Sequence, residues 1–270
     1  MLPLGFEQIA LLCVCFFIMS AVFMMFGQGG GAVYVPMLLA FGLPLYRSAA
    51  ISQVLILTAT ISAVIVYQKA GHVDWSLALI VEPPTNVGAF LGGYFSTYIP
   101  PAFSKLVFAV IILVGAYFMI KPAKQRQTVL TVKKDEWFYL KRNTGTEQYA
   151  LNLFSIVPLM ILTGFVAGML GVGGGLIKVP ILLLLGGVPM KIAAGSSSLM
   201  VGVTALTGLL GHTLKGHFDL KLALILGISV IAGSQIGARV GVNIDKKHHK
   251  KYFGFLLIFV AFWMVYMAFK

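Results

Sequence analysis

Apolar residues fill this chain in long blocks separated by short polar or glycine-rich joints. The blocks run roughly over 6–26, 48–67, 75–98, 103–120, 151–170, 192–213, 220–243 and 252–269. Each is near the ~20 residues that a helix needs to cross about 30 Å of hydrocarbon, which predicts eight spanning helices. Two further apolar stretches, 32–43 and 176–187, are shorter, and as helices they rise only about 18 Å. A glycine string precedes each. Gly27-Gln28-Gly29-Gly30-Gly31 leads to Pro36, and Gly171-Val172-Gly173-Gly174-Gly175 leads to Pro180 at the matching distance. Inside a helix glycine costs about 1 kcal/mol and proline about 3 kcal/mol relative to alanine. Each string therefore ends one helix and opens another. Such breaks at corresponding points of two halves are the sequence pointer to a transporter binding site.

The duplication extends beyond the strings. Pro44 matches Pro189, Gly71-His72-Val73-Asp74 matches Gly216-His217-Phe218-Asp219, and Gly88 and Gly92 match Gly233 and Gly237. The chain divides into a first transmembrane repeat over 1–120, a polar connector over 121–150 and a second repeat over 151–270. Trp137, Phe138 and Tyr139 mark the connector as an interfacial anchor rather than a loose tether.

Composition supports a polytopic membrane protein: 59% of residues are hydrophobic and 10% charged, with a mean hydropathy of +0.94, too apolar for a soluble domain. Glu7 replaces the basic flank of a cleavable leader. The basic residues behind the net charge of +12 cluster in two loops. Lys121, Lys124, Arg126, Lys133, Lys134, Lys141 and Arg142 fill the connector, and Lys246, Lys247, Lys250 and Lys251 flank His248-His249. This is positive-inside bias rather than a nucleic-acid footprint, and it assigns the connector to the cytoplasmic side of a cell membrane. Counting the short segments as crossings gives five per half and an inverted repeat, with 14 basic residues on the connector side against 5; leaving them out gives parallel halves and 11 against 8, Lys178 being omitted from both. The sharper asymmetry favours an all-α, inverted five-plus-five arrangement of four long spans and one glycine-led half-span per repeat. A re-entrant hairpin remains the alternative.

A helix that opens at membrane depth exposes unpaired N–H groups and a positive dipole end, an anion site without a charged side chain. Gly29, Gly30, Gly31, Gly173, Gly174 and Gly175 supply that backbone, with close helix crossing as the competing reading. Gly88, Gly92, Gly233 and Gly237 fit packing. Lys178, where the first copy has Tyr34, is a candidate counter-charge for a bound anion, or a lysine that snorkels. Ser196, Ser197, Ser198 and Thr204, with Gln28, Ser52 and Gln53, add hydroxyl and amide donors. This imbalance places an anion nearer the second break. Glu82, with Asn86 one turn on, is a candidate for binding and releasing a coupling proton, and Pro83-Pro84 marks a flexible point. Asp74 and Asp219 fit helix N-caps. His212 fits a helix-packing hydrogen bond, Gln235 could line the path, Arg239 and Asn243 fit a topology role, and Cys13 and Cys15 fit packing. No enzyme constellation, metal cluster or cofactor motif is present at an interpretable spacing.

The twin G-x-G-G-G-x-x-x-x-P strings, the Ala193-Ala194-Gly195-Ser196-Ser197-Ser198-Leu199 run and the G-H-x-D turns resemble the sulfite exporter TauE/SafE family. The chain departs from that pattern at Ala50-Ile51-Ser52-Gln53 and at Glu82-Pro83-Pro84. The resemblance implies an integral membrane carrier of small sulfur-containing anions such as sulfite and organosulfonates. The resulting expectation is a secondary transporter in the bilayer, working by alternating access on a small anion, with H+ or Na+ as coupling ion and room for a homo-oligomer. A passive anion channel and a non-transporting membrane scaffold are the alternatives.

Overall fold

The computed structural model describes residues 5–120, 138–144, 147–214, 220–243 and 246–269. Ten α-helices occur among them: α1 Phe6–Met24, α2 Gly31–Ala40, α3 Leu45–Lys69, α4 Trp75–Phe95, α5 Pro101–Ile120, α6 Leu153–Leu170, α7 Gly175–Leu184, α8 Met190–Thr213, α9 Leu220–Asn243 and α10 Lys246–Phe269. Six of these, α1, α3, α5, α6, α8 and α9, are long and apolar enough to cross a membrane, which makes the chain a multi-pass membrane protein. Helix α4 is long enough but carries Glu82, Pro83, Pro84, Thr85 and Asn86 at its centre. The large apolar side chains that remain exposed, among them Leu79, Val110, Ile228 and Phe262, form the surface that lipid covers.

The membrane-embedded body is helical, as expected, and the connector adds one further feature, an antiparallel hairpin of β1 Tyr139–Thr144 and β2 Glu147–Asn152, with Arg142 opposite Tyr149. Strand β2 runs straight into α6, whose N-cap Asn152 accepts from Ser155 N–H. Tyr149 and Leu151 are buried with Leu77 and Val81 of α4, Leu182 of α7 and Ile192 of α8. The hairpin is therefore part of the packed body. Trp137 and the basic residues at 121–134 lie outside the described residues, as do Lys215 and the second G-H-x-D turn with Asp219.

Glycine notches set the helix crossings. A Cβ on Gly88 would lie 2.0 Å from the Ile161 carbonyl oxygen, and one on Gly92 1.9 Å from that of Phe165; Gly164 faces Thr85 O at 1.9 Å in return. Helices α4 and α6 thus run parallel at backbone contact. Helices α1 and α9 do the same, with Gly233 against Phe17 O and Gly237 against Ala21 O. Without water, small residues that let backbones approach are a main source of helix association. The packing reading of these four glycines therefore holds. Helices α3 and α8 instead cross antiparallel, with Gln53 beside Gly208 and Thr60 beside Gly202. Helices α5 and α10 are also antiparallel: Gly254 faces Ile120, and Lys105 Nζ donates to Met267 O at 2.6 Å.

Candidate anion site between two glycine breaks

Both glycine strings end one helix and begin another. After α1 the chain turns through Gly27, Gly29 and Gly30 at φ 68°, 82° and 82°; after α6 it turns through Gly171, Gly173 and Gly174 at 73°, 68° and 79°. This left-handed backbone is open to glycine and costs other residues about 1–2 kcal/mol. Gly30 and Gly174 cap α2 and α7 without any side-chain partner. The Gly30 carbonyl accepts from Val33 and Tyr34 N–H, and the Gly174 carbonyl from Ile177 and Lys178 N–H. The N–H groups ahead of these have no intrahelical acceptor and sit at the positive end of a helix dipole. Pro36 and Pro180 lie inside the short helices rather than ending them. Each withdraws the rung to the residue four back, Ala32 or Leu176.

The two strings touch. A Cβ on Gly31 would lie 2.7 Å from Val172 Cα, and one on Gly175 2.7 Å from Gln28 Cα. Gly29 and Gly173 face the same two side chains, Val201 Cγ1 at 2.7 and 2.9 Å and Ile56 Cγ2 at 3.0 and 3.1 Å. Both breaks therefore meet where α3 crosses α8. At the outer ends, Gly27 rests on Ala194 of α8 and Gly171 on Ala49 of α3.

Buried polar side chains surround this contact, and they are used unequally. Ser52 Oγ donates to Gly171 O at 2.6 Å, and Gln53 Nε2 to Gly168 O at 3.2 Å, so the α3 pair secures the end of α6. Ser196 Oγ accepts from Asp74 N–H at 2.9 Å. Gln28 Nε2 and Oε1, Ser197 Oγ, Ser198 Oγ and Gln53 Oε1 are buried and find no partner among the described residues. Ser197 and Ser198 lie on α8 one turn beyond Ala194, on the side that meets the first string. The unpartnered donors of α8 thus gather by the first break.

The charge lies at the second break. Lys178 is fully buried, and its ammonium donates to Glu82 Oε2 at 2.8 Å, to Met200 O at 3.3 Å and to Thr204 Oγ1. Thr204 Oγ1 in turn donates to Glu82 Oε1. Glu82 is 5% exposed, so neither residue reaches an interface and the snorkelling account of Lys178 fails. The two candidates for separate roles form a single ion pair. Asn86, one turn along α4, accepts from Thr207 Oγ1 at 3.3 Å. At the first break Tyr34 takes the place of Lys178. Its ring folds back over Gly30 and lies 5.0 Å from that of Phe16.

A second cluster secures the hairpin above this region. Asp74 caps α4 through Leu77 N–H at 3.1 Å, accepts from Arg142 Nη2 and Nε at 3.0 and 3.2 Å, and accepts from Tyr149 Oη at 2.6 Å. Burial pushes the Asp74 carboxyl up, but the bonds from Arg142, Tyr149 and Leu77 outweigh it and hold the group below the usual carboxylate range. Burial, with the Asp74 carboxylate beside it, pushes the Tyr149 hydroxyl up. The N-cap reading of Asp74 is correct but partial, since charge alone gave no hint that Arg142 folds back onto it. His212 Nε2 donates to Gly168 O at 2.9 Å, the packing role expected of it. Gln235 Nε2 donates to Ser62 O at 2.7 Å. Cys13 and Cys15 are half-buried and unbridged.

Comparison with known proteins adds an independent line. A probable membrane transporter, YunE of Bacillus subtilis, is 26% identical over 257 residues, covering 89% of this chain and 90% of that protein. One from Methanocaldococcus jannaschii is 23% identical over 254 residues, covering 88% of each. A probable membrane transporter of Haemophilus influenzae is 28% identical over 258 residues, covering 88% of this chain and 90% of that protein. No solved structure matches the chain. The model of the sulfite exporter TauE/SafE family matches residues 12–264, nearly the full length, and the chain belongs to that family of membrane transporters.

Proposed function

We propose that this protein is a secondary transporter of a small, sulfur-containing anion of the sulfite or organosulfonate class, bound where the two glycine breaks meet and exposed alternately to the two sides of the membrane. The observation that carries this reading is the meeting of two left-handed, side-chain-free helix N-termini beside buried Gln28, Ser197 and Ser198. Backbone N–H groups at helix starts suit an oxyanion. Irregular backbone at membrane depth is tolerated where it is covered by protein or lines a cavity. Gly29–Gly31 and Gly173–Gly175 supply the cradle, the serines and glutamines supply further donors, and Lys178 supplies the charge. The sulfur class comes from the family's name and the oxyanion chemistry of the cradle.

The antiparallel crossing of α3 with α8, and of α5 with α10, supports inverted repeats, because these are corresponding helices of the two halves. Parallel repeats related by an axis along the membrane normal would run them in the same direction. Alternating access then rocks one half against the other about the central contact, and the connector lies on the cytoplasmic side of the cell membrane.

The test is reconstitution of the purified chain in proteoliposomes, with sulfite, thiosulfate, methanesulfonate, sulfate and carboxylates offered with and without pH and sodium gradients. Gradient-driven accumulation of a sulfur oxyanion is the expected outcome. Dissipative flux without accumulation identifies a channel, and no flux of any anion identifies a non-transporting membrane component.

A further inference from the structure

Lys178 has no hydrogen-bonding capacity left for an incoming anion. A lysine ammonium has three donors, and here they go to Glu82, Met200 and Thr204. Two of these partners are neutral, so Glu82 is the counter-charge. An anion that uses Lys178 must therefore displace Glu82. Resting on the transporter reading above, we infer that Glu82 and the transported anion compete for the Lys178 ammonium, and that a proton on Glu82 is the condition for anion binding. One proton then moves with each anion.

The energetics favour exchange over sharing. Two anions against one buried cation leave a net charge without solvent, which costs several kcal/mol, and a buried carboxylate stripped of its cation takes up a proton instead. The step is simple in its atoms. A proton from water adds to a Glu82 carboxylate oxygen, the neutral acid stays beside Thr204, and the anion replaces it as the partner of Lys178. On the other side the anion leaves, Lys178 re-engages Glu82 and the proton returns to water.

No neighbouring group can substitute for Glu82. Helix α6, packed against α4, carries no ionisable side chain, and α8 carries Lys191 in its first turn and His212 in its last. His212 is engaged with Gly168 O. Asp74, at the start of α4, is held by Arg142 and Tyr149. The matching positions of the other half are Tyr34 for Lys178 and Gly227 for Glu82, so the pair has no counterpart at the corresponding place in the first break. The anion's remaining contacts are at hand, since the Lys178 stem passes Gly174, the N-cap of α7, with its Cε 3.5 Å from where a Cβ would stand.

Methanesulfonate and sulfite are the probes, the first because its charge does not titrate near neutrality. If neither accumulates in wild-type vesicles, the transporter reading itself falls. Where one does, wild-type affinity should tighten about tenfold per unit fall in pH over the range in which Glu82 is ionised in the free protein, as uptake of one proton requires. Methanesulfonate uptake driven by a pH gradient should also be indifferent to membrane potential. Glu82→Gln should bind with affinity that changes less than about twofold over the same pH range, and should carry the anion without drawing on a proton gradient. Lys178→Met combined with Glu82→Gln leaves no unpaired charge and keeps the fold, but should lose at least about tenfold in affinity. pH-independent wild-type binding of methanesulfonate, opposition of its uptake by an inside-negative potential, proton-driven uptake by Glu82→Gln, or undiminished binding by the double variant each overturns the competition while leaving transport itself standing.

Discussion

Ser52 and Ser197 occupy the same place in the two halves, 145 positions apart, yet they hold different positions in the hydrogen-bond economy of the site. Ser52 donates to the Gly171 carbonyl, while Ser197 finds no partner. The same division separates Gln53, bonded to Gly168, from its counterpart Ser198. One half has fixed the break of the other, and the reciprocal groups find no protein partner among the described residues. Ser52→Ala should therefore lower stability by about 1 kcal/mol, the net value of a buried hydrogen bond, seen as a lower melting temperature in detergent. Ser197→Ala should leave the melting temperature of the unliganded protein unchanged and weaken sulfite or methanesulfonate binding several-fold. Equal losses of stability in both variants would show that Ser197 is structural. Tyr67 and His212 form another such pair with a different outcome: each donates to a carbonyl at the end of a first-helix segment, Met24 or Gly168. Different side chains there do one job.

At the scale of elements, the hairpin is the piece whose docking can be tested by itself. Asp74 joins the start of α4 to both strands through Arg142 and Tyr149. Because its carboxyl is held below the usual range, the stability it adds is fully present above that range and is lost only as pH falls through the depressed value. Between pH 5 and 8 the protection of β1 and β2 amides, taken relative to the intrinsic exchange rate at each pH, should stay constant, whereas Asp74→Asn or Tyr149→Phe should lower it in both strands. A hairpin that loosened between pH 7 and 5 would point to another titrating group. Any pH dependence of transport in that window would then have a source other than this lock. The helices themselves were legible in the sequence, since apolar blocks and glycine-proline breaks are local signals, and the short helices appear at 31–40 and 175–184 against the expected 32–43 and 176–187. The hairpin was not legible, because its basic residues read as topology markers and its burial depends on apolar partners in α4, α7 and α8. The Lys178–Glu82 pair was half legible. Both residues stood out as charges at membrane depth, but their contact joins positions 96 apart through a packing that no local pattern encodes.

At the scale of the whole molecule, the short helices decide the topology. Helix α2 has 10 residues and rises about 15 Å, half the hydrocarbon thickness. It begins at the central contact, where Gly31 lies beside Ile56 of α3, and ends in the turn that starts α3 at Leu45. It therefore returns the chain to the surface from which α3 sets out, and α7 stands in the same relation to α8. Since α3 and α8 run antiparallel, the turns after α2 and α7 should open on opposite sides of the membrane. Parallel repeats would put both turns on one side. Ala40, at the end of α2, and Leu185, at the end of α7, are both exposed and serve as reporters once Cys13 and Cys15 are replaced by serine. In sealed right-side-out vesicles an impermeant maleimide should label one of Ala40→Cys and Leu185→Cys, and in inverted vesicles the other. Labelling of both in the same preparation alone would place the two turns together and remove the inverted arrangement. The rocking of one half against the other would go with it, because a common site can face each side in turn by that symmetry only if the halves enter the membrane from opposite faces.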